Sequence, residues 1–470
     1  MNFNHINNIF FIGIGGIGMS ALARYFQFLG KKIYGYDRTK TALTETLRGE
    51  GMQIIYEDQP EFVGSNIDLV IITPAIPQNL EIWAHCQKAN LLIKKRAEVL
   101  GLISQNRRCL AVAGTHGKTS TSSLLAWLLH RAGLQPSAFL GGIAENFNSN
   151  FLQGASDWVV AEADEFDRSF LHLYPEMLIL TSVDADHLDI YGTEAEVKAS
   201  YAQLIQQIKP NGRLVIQQNA LKELANLIPK GYFQQKNIQV ISYNADEDNS
   251  WGDDCANIFA KRVKTANGEM IFDYETDKYG VEELHFSQAG LHNVENSLAA
   301  LTVAHLCGAE WVDLRAGLTE FSGISRRFEW ILRADNQLFV DDYAHHPTEI
   351  RAAIATARFL YPQKQLTVIF QPHLYSRTRD FLQGFAAALD AADQIILLDI
   401  YPARELPITG INSQLILDNM KNPNKILMDK NTLFAHLEQL QPEFLLTLGA
   451  GDIGAMVGKI KNLFLNEKMP

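Results

Sequence analysis

Residues 114–120 read GTHGKTS, and they combine the residue types that phosphate chemistry requires. Glycines let successive backbone N–H groups converge on an anion, a lysine neutralises β- and γ-phosphate charge, and a following hydroxyl ligates Mg²⁺. Gly114, Thr115, His116, Gly117, Lys118, Thr119 and Ser120 are thus the candidate ATP-phosphate residues, with Lys118 also a candidate catalytic residue. The loop is a shortened form of the general pattern, because Val112 stands where that pattern has its first glycine. A glycine turn with a surface lysine is the plainer alternative. The strand-like RRCLAVAG before the loop and the helical pattern after it argue for the phosphate reading.

A nucleotide held with magnesium needs a carboxylate beside the hydroxyl ligand. AEADEFD supplies Glu162, Asp164, Glu165 and Asp167 directly after an apolar strand, where a solvated acidic loop is the competing explanation. SVDADHLD places His187 just past another apolar run, and a lone histidine there also suits a cap or a surface position. Further on, DDYAHHPTE (341–349) carries Asp342, Tyr343, His345 and His346 at a strand end, and QPHLYSRTRD carries His373, Arg377 and Arg379 at the next. An arginine fork in such a place suits a carboxylate or phosphate. Pro347 and Glu349 are also helix-start signals, so part of the first cluster reads as capping.

A second glycine loop, IFFIGIGGIGMS (9–20), has G-x-G-x-x-G at Gly13, Gly15 and Gly18, and Asp37 closes the strand-like KIYGYD. On its own that combination spells dinucleotide binding.

These loops need a scaffold that brings strand ends together. From residue 9 to about 105, apolar runs alternate with helical segments, which implies a parallel sheet covered on both sides. A second α/β unit opens at RRCLAVAG, with a more polar, β-rich or looped stretch at 230–290, and a third follows GISRRFEW. Boundaries are placed at 1–105, 106–327 and 328–470. Ligands in open α/β sheets bind beyond the carboxyl ends of strands, which is where every cluster above falls.

Bulk composition agrees. At 470 residues, 47% hydrophobic and 20% charged, the chain reads as a soluble globular protein of several domains. A net charge of −12 argues against nucleic acid or an anionic membrane as partner. Cys86, Cys109, Cys255 and Cys307 show no CxxC spacing and fit buried, reduced thiols of a cytoplasmic protein. No signal peptide or membrane span is expected, since IFFIGIGGIGM is short and glycine-broken.

Taken in order, GIGGIGMS, KKRAEVLG, AGTHGKTST, EADEFD, DADHLDIYG, HNVENSLAA, SRRFE, DDYAHHPTE, QPHLYSRT and LGAGDIG resemble the motifs of the Mur ligase family of ATP-dependent amide-bond-forming enzymes. The resemblance runs from residue 13 to 454. It implies a Rossmann-like domain for a UDP-sugar, a central P-loop ATPase domain, and a C-terminal Rossmann-like domain for the incoming amino acid. It further implies UDP-N-acetylmuramate, ATP and L-alanine as substrates and one or two Mg²⁺ ions, in a cytoplasmic monomer or homodimer that makes peptidoglycan precursors.

By resemblance, Thr119, Glu162 and His187 are the metal residues. His292, Asn293, Asn296, Arg327 and Asp342 join the ATP site. Gly13, Gly15, Gly16, Gly18, Met19, Asp37, Thr73 and Arg96 line the UDP-sugar site. Tyr343, His373, Arg377 and Arg379 surround the amino acid, and Glu162, His187, His346 and Arg377 are expected at the chemistry beside Lys118. With ATP on GTHGKTS, the first loop is free to hold a UDP-sugar diphosphate, and Asp37 to face its ribose or uracil.

Two motifs depart from the family pattern: Leu374 stands where many relatives have arginine, and TPAI (73–76) where they often read SSAI, with Thr73 keeping a hydroxyl. Some members carry a carbamoylated lysine near the metals; Lys198, 11 positions after His187, is the nearest lysine in the sequence.

The chemistry implied is activation of a carboxylate as an acyl phosphate, attack by an amine, and expulsion of phosphate. His187, His345, His346 and His373 are the candidate bases. The rivals are a recycling ligase that adds a tripeptide to the same UDP-sugar, a folate polyglutamylating ligase, an NAD-dependent dehydrogenase and a nucleotide switch. The dehydrogenase has no use for GTHGKTS, and the switch none for the arginine and histidine clusters.

Overall fold

The computed structural model describes residues 3–73, 76–77, 79–184, 188–245, 255–266, 269–334, 336–403 and 405–465. Among them, three sheets carry the fold. The first is parallel, with strands β1 (Asn8–Ile12), β2 (Lys32–Tyr36), β3 (Gln53–Ile55), β4 (Leu69–Ile72) and β5 (Ile93–Lys95) in the order β3-β2-β1-β4-β5. Strand β1 is apolar almost throughout because helices cover both faces of a parallel sheet. The Gly13 loop leaves its carboxyl end between the ends of β2 and β4, where the order of strands reverses.

The second sheet contains β6 (Arg108–Ala113), β7 (Ser137–Ala144), β8 (Ser149–Leu152), β9 (Trp158–Glu162), β10 (Met177–Leu180), β11 (Arg213–Gln217), β12 (Gln239–Asn244), β13 (Ala256–Ala266), β14 (Glu269–Thr276) and β15 (Gly280–Phe286). Their order is β15-β14-β13-β12-β11-β10-β6-β9-β7-β8. The stretch expected to be β-rich or looped is therefore largely strand, β12 to β15. Strand β6 lies between β10 and β9, with Ala113 beside Leu180 and Val112 beside Glu162. That register puts GTHGKTS, EADEFD and the segment after β10 at one edge.

The third sheet holds β16 (Glu329–Ala334), β17 (Gln337–Asp342), β18 (Leu366–Phe370), β19 (Gln394–Leu397), β20 (Lys425–Leu427) and β21 (Phe444–Leu448), ordered β16-β17-β21-β18-β19-β20. It is parallel except for β16, which runs antiparallel to β17.

The chain forms two compact units, Met1–Val263 with Phe272–His285 and Glu295–Ser322, and Lys264–Ile271 with Phe286–Val294 and Gly323–Pro470. In the first unit, one core cluster runs from Ile9, Phe11 and Phe26 of the first sheet layer to Val159, Leu178 and Ile216 of the second. Tyr25 packs on Phe139 at 5.4 Å between ring centroids. In the second unit the sheet has a core on each face, one around Val340, Val368 and Leu446, the other around Phe339, Ile369 and Leu445. The four cysteines are free thiols; Cys86 and Cys109 are buried, Cys255 and Cys307 half-buried. Among the described residues, no helix is long and apolar enough to cross a membrane.

Candidate active site

The GTHGKTS loop is shaped by its glycines. Gly114 and Gly117 have φ of +135° and +80°, in the region that side chains rarely adopt. A Cβ on Gly114 would fall 2.1 Å from Thr181 Oγ1, and one on Gly117 2.6 Å from Asn296 Oδ1. Gly117 ends the loop as the N-cap of the helix Lys118–Arg131, whose first turn carries no acidic residue. The loop is tied to the segment after β10: Thr115 Oγ1 donates to Asp184 O at 2.8 Å, and His116 N to Ser182 Oγ at 2.8 Å. His116 Nε2 lies 3.4 Å from Asp184 Oδ2.

Lys118 folds back over this loop. Its ammonium donates to Gly114 O at 2.6 Å and Thr115 O at 3.1 Å, and lies 2.8 Å from Glu165 Oε2. Burial alone lowers a lysine pKa, but Glu165, Asp164 and Glu162 together raise this one above its ordinary value, so Lys118 is a cation. Thr119 Oγ1 donates to Glu162 Oε1 at 3.0 Å, while Glu162 Oε2 accepts from Gly141 N at 2.9 Å and Ser122 Oγ at 3.3 Å. Thr119 and Glu162 thus present hard oxygen donors side by side, the set that fits Mg²⁺ completed by phosphate and water. Among the described residues, no group of three or more His, Cys, Asp or Glu side chains converges as a metal cage. His187 lies outside the described residues. Lys198 donates to Glu194 at 2.5 Å and pairs with Glu223 at 2.9 Å, which raises its pKa.

At the first loop, Gly13 has φ +85°, and a Cβ there would meet Thr73 Cγ2 at 2.8 Å. Asp37 is turned onto the loop backbone, accepting from Gly15 N at 2.8 Å and Thr39 N at 3.0 Å. Gly16 caps the helix Ile17–Phe28. Gly18 faces Arg96, since a Cβ would lie 2.9 Å from Nη1. Met19 is buried in the core. Gly13, Gly15, Gly16, Gly18, Asp37, Thr73 and Arg96 are therefore brought together, with Met19 packed beneath them.

The second unit gathers the other residues. Asp342, ending β17, accepts from Phe328 N and Ala344 N, each at 2.7 Å, and burial pushes its pKa up to about 6. Burial, and then Arg327, push His292 down to about 4. Asn293 donates to Ala289 O at 2.7 Å. Arg327 lies over the ring of Tyr343 at 5.4 Å. His346 caps the helix Pro347–Leu360 through Nδ1, which accepts from Thr348 N at 3.3 Å, in line with the helix-start signals that follow it. Arg377 is buried with Nη1 3.5 Å from His373 Nδ1, and His373 stacks on Tyr401 at 5.8 Å. Arg379 is exposed and pairs with its neighbour Asp380 at 2.7 Å.

Sequence reasoning assigned no role to Glu165 beyond its acidic segment and missed Gly141, Asp184 and Tyr401. Tyr401 carried a usable signal, because it follows the apolar strand β19 as His373 follows β18. Gly141 lies inside a strand, and no local pattern marked it.

Three Mur ligase domain families match: the catalytic domain over residues 8–108, the middle domain over 112–304, and the glutamate ligase domain over 326–459. A UDP-N-acetylmuramate--L-alanine ligase of Flavobacterium psychrophilum is 45% identical over 472 residues, covering 100% of both chains. One from Porphyromonas gingivalis is 42% identical, covering 97% of this chain and 98% of its own. The crystal structure of the UDP-N-acetylmuramate-alanine ligase of Thermotoga maritima superposes with a TM-score of 0.78 at 26% identity, covering 98% of this chain and 99% of its own. With glycine-rich, acidic and basic strand ends of this kind and likeness extending over the whole chain, this protein belongs to the Mur ligase family.

Proposed function

We propose that this chain is an ATP-dependent ligase that joins L-alanine to the carboxylate of UDP-N-acetylmuramate, in the cytoplasmic synthesis of peptidoglycan precursors. Full-length identity of 40 to 45% to enzymes named for that reaction carries the reading. The strand-end geometry supplies parts that suit it.

A carboxylate does not condense with an amine in neutral water, because its leaving group would be oxide. ATP changes this by transferring its γ-phosphoryl to the carboxylate, which forms an acyl phosphate and ADP. The amine of alanine then adds to the acyl carbon, and the tetrahedral intermediate collapses by expelling inorganic phosphate. In this reading Lys118 and the N–H groups of residues 114–119 carry the phosphates, stabilising charge as it spreads over the transferring oxygens. Thr119 and Glu162 would hold Mg²⁺, which neutralises phosphoryl charge when bound. The first glycine loop receives the UDP-sugar diphosphate at the N-terminus of the helix Ile17–Phe28, with Arg96 beside it and Asp37 bracing the loop. Arg377 binds the alanine carboxylate, with His373 Nδ1 3.5 Å from its guanidinium, and a neighbouring histidine takes the amine proton.

The test is UDP-N-acetylmuramate-dependent ADP release with ATP and each of L-alanine, glycine, L-serine and the alanyl-glutamyl-diaminopimelate tripeptide. Turnover with L-alanine above the others is the expected result. Preference for the tripeptide would make the chain a recycling ligase, and release indifferent to the UDP-sugar would remove the ligase reading.

A further inference from the structure

We infer that Glu165 is the positioning residue for Lys118, fixing the ammonium where the phosphoryl group is transferred; this rests on reading GTHGKTS as the ATP loop. An ammonium has three donors in no fixed plane, on a stem of four carbons, so its direction is set by its partners. Two contacts of Lys118, Gly114 O and Thr115 O, are neutral carbonyls of its own loop. Glu165 adds a charge, with Oε2 at 2.8 Å and Oε1 at 3.1 Å, from another strand end. Both side chains are withdrawn from solvent, at 14% and 3% exposure, where such a pair keeps its geometry.

Glu165 is itself pinned. Its carbonyl accepts from Tyr191 Oη at 2.6 Å and from Arg168 N at 3.0 Å. Asp167 and Arg168, which follow it, both have φ of +54°, a conformation that surrounding contacts must enforce. The other acids of the segment have different partners: Glu162 holds Thr119, Asp164 meets Arg96, and Asp167 meets Lys95. Of the four, it is Glu165 whose carboxylate reaches the Lys118 ammonium, at 2.8 and 3.1 Å.

A preplaced cation stabilises charge that develops during transfer more than charge already present in bound ATP, so its loss falls on kcat. Steady-state kinetics and calorimetric ATP binding on the full chain, as wild type, E165Q, E165D, K118M and K118M/E165Q, test this. E165Q should lower kcat about 10- to 100-fold with the KM for ATP changed less than about threefold, and E165D should recover part of the loss. E165Q should add nothing to K118M, in turnover or in ATP affinity. A lowered thermal midpoint with kcat and KM unchanged, or an E165Q effect as large in K118M as in wild type, would overturn the inference. Wild type that binds ATP yet never turns over UDP-N-acetylmuramate with alanine would instead sink the ligase reading, and the affinity cycle would still report on Glu165.

Discussion

Arg96 Nη2 and Asp164 Oδ2 lie 3.7 Å apart, and that pair joins the two glycine loops. Arg96 opens a helix after β5 and lies against Gly18 of the first loop. Asp164 follows β9 and is the direct neighbour of Glu165, which holds Lys118 of the second loop. Two ion pairs, joined through the peptide link between Asp164 and Glu165, thus run from one proposed phosphate site to the other, and a ligand that reorients Arg96 is expected to act on the segment that carries Glu165.

Asp164→Asn should therefore weaken coupling between the two ligands more than it weakens either alone. Coupling here is the ratio of ATP dissociation constants measured without and with the UDP-sugar. A partly exposed ion pair is worth up to about 1 kcal/mol, so the ratio should fall about two- to fivefold. Titration calorimetry in both orders checks it, and an unchanged ratio would mean that the contact carries no coupling.

Glu162→Gln should act through magnesium. Glu162 Oε1 meets Thr119 Oγ1 at 3.0 Å while Oε2 is occupied by Gly141 N and Ser122 Oγ. The amide keeps the size but removes the charge that attracts a divalent cation. The Mg²⁺ concentration for half-maximal rate should rise about tenfold or more, with kcat down at saturation. A rate curve against Mg²⁺ that superposes on wild type would remove Glu162 from the metal site.

How much of this was legible in the sequence follows from what local pattern encodes. The strand, loop and helix around GTHGKTS were readable because continuous apolar runs, glycines and hydroxyls each have a local physical meaning. The pairing of Lys118 with Glu165 was not, since Glu162, Asp164, Glu165 and Asp167 are alike as sequence and only the folded segment gives each its own partner. Asp37 read as a ligand residue because strand-end acids often are, and only the folded loop shows its carboxylate on Gly15 N. The shared core of the first two sheets was equally invisible, because a buried Tyr25 or Phe139 gives no sign of which sheet it meets.

Arg377 and Arg379 sit two residues apart and should behave differently. Arg377 is buried beside His373, whereas Arg379 is exposed and neutralised by Asp380. Arg377→Lys should raise the KM for alanine about tenfold or more, because an ammonium cannot replace a two-pronged contact. Arg379→Ala should change it less than about twofold, as surface pairs do. Equal effects would place both side chains on the amino acid.

His292 makes a prediction about pH. Its pKa in the fold is about 4, below the ordinary value near 6.5. The folded chain thus binds fewer protons here than the unfolded chain between those values. The stability that His292 contributes is complete above about pH 6.5 and is lost as pH falls towards 4. His292→Gln removes that dependence, so the variant should gain on wild type by roughly 2 kcal/mol between pH 7.5 and pH 5. Asp342 has the opposite sign, since its raised pKa of about 6 favours folding at low pH and is retained in both proteins. Thermal midpoints of the two proteins at both pH values check the difference. A constant gap would show that His292 titrates normally.

Leu374 gives the last prediction. It precedes the helix Tyr375–Asp380 with φ +70° and ψ 137°, a region where a Cβ is strained. Its neighbours hold it there: Leu374 N donates to Tyr401 O at 3.0 Å, Thr378 Oγ1 donates to Leu374 O at 2.8 Å, and Ser376 N donates to Glu405 Oε2 at 3.0 Å. The bend turns the chain so that His373 and Arg377 meet on one side of it. Leu374→Gly removes the steric cost in the fold but gives the unfolded chain more freedom, so stability should change by less than about 1 kcal/mol. Leu374→Ala keeps a Cβ and should therefore be the less stable of the two. If the bend exists to aim His373 and Arg377, the glycine variant loosens it, and the KM for alanine should rise severalfold while the KM for ATP stays put. Equal kinetics for the glycine variant and wild type would show that the strained bend has no part in binding the amino acid.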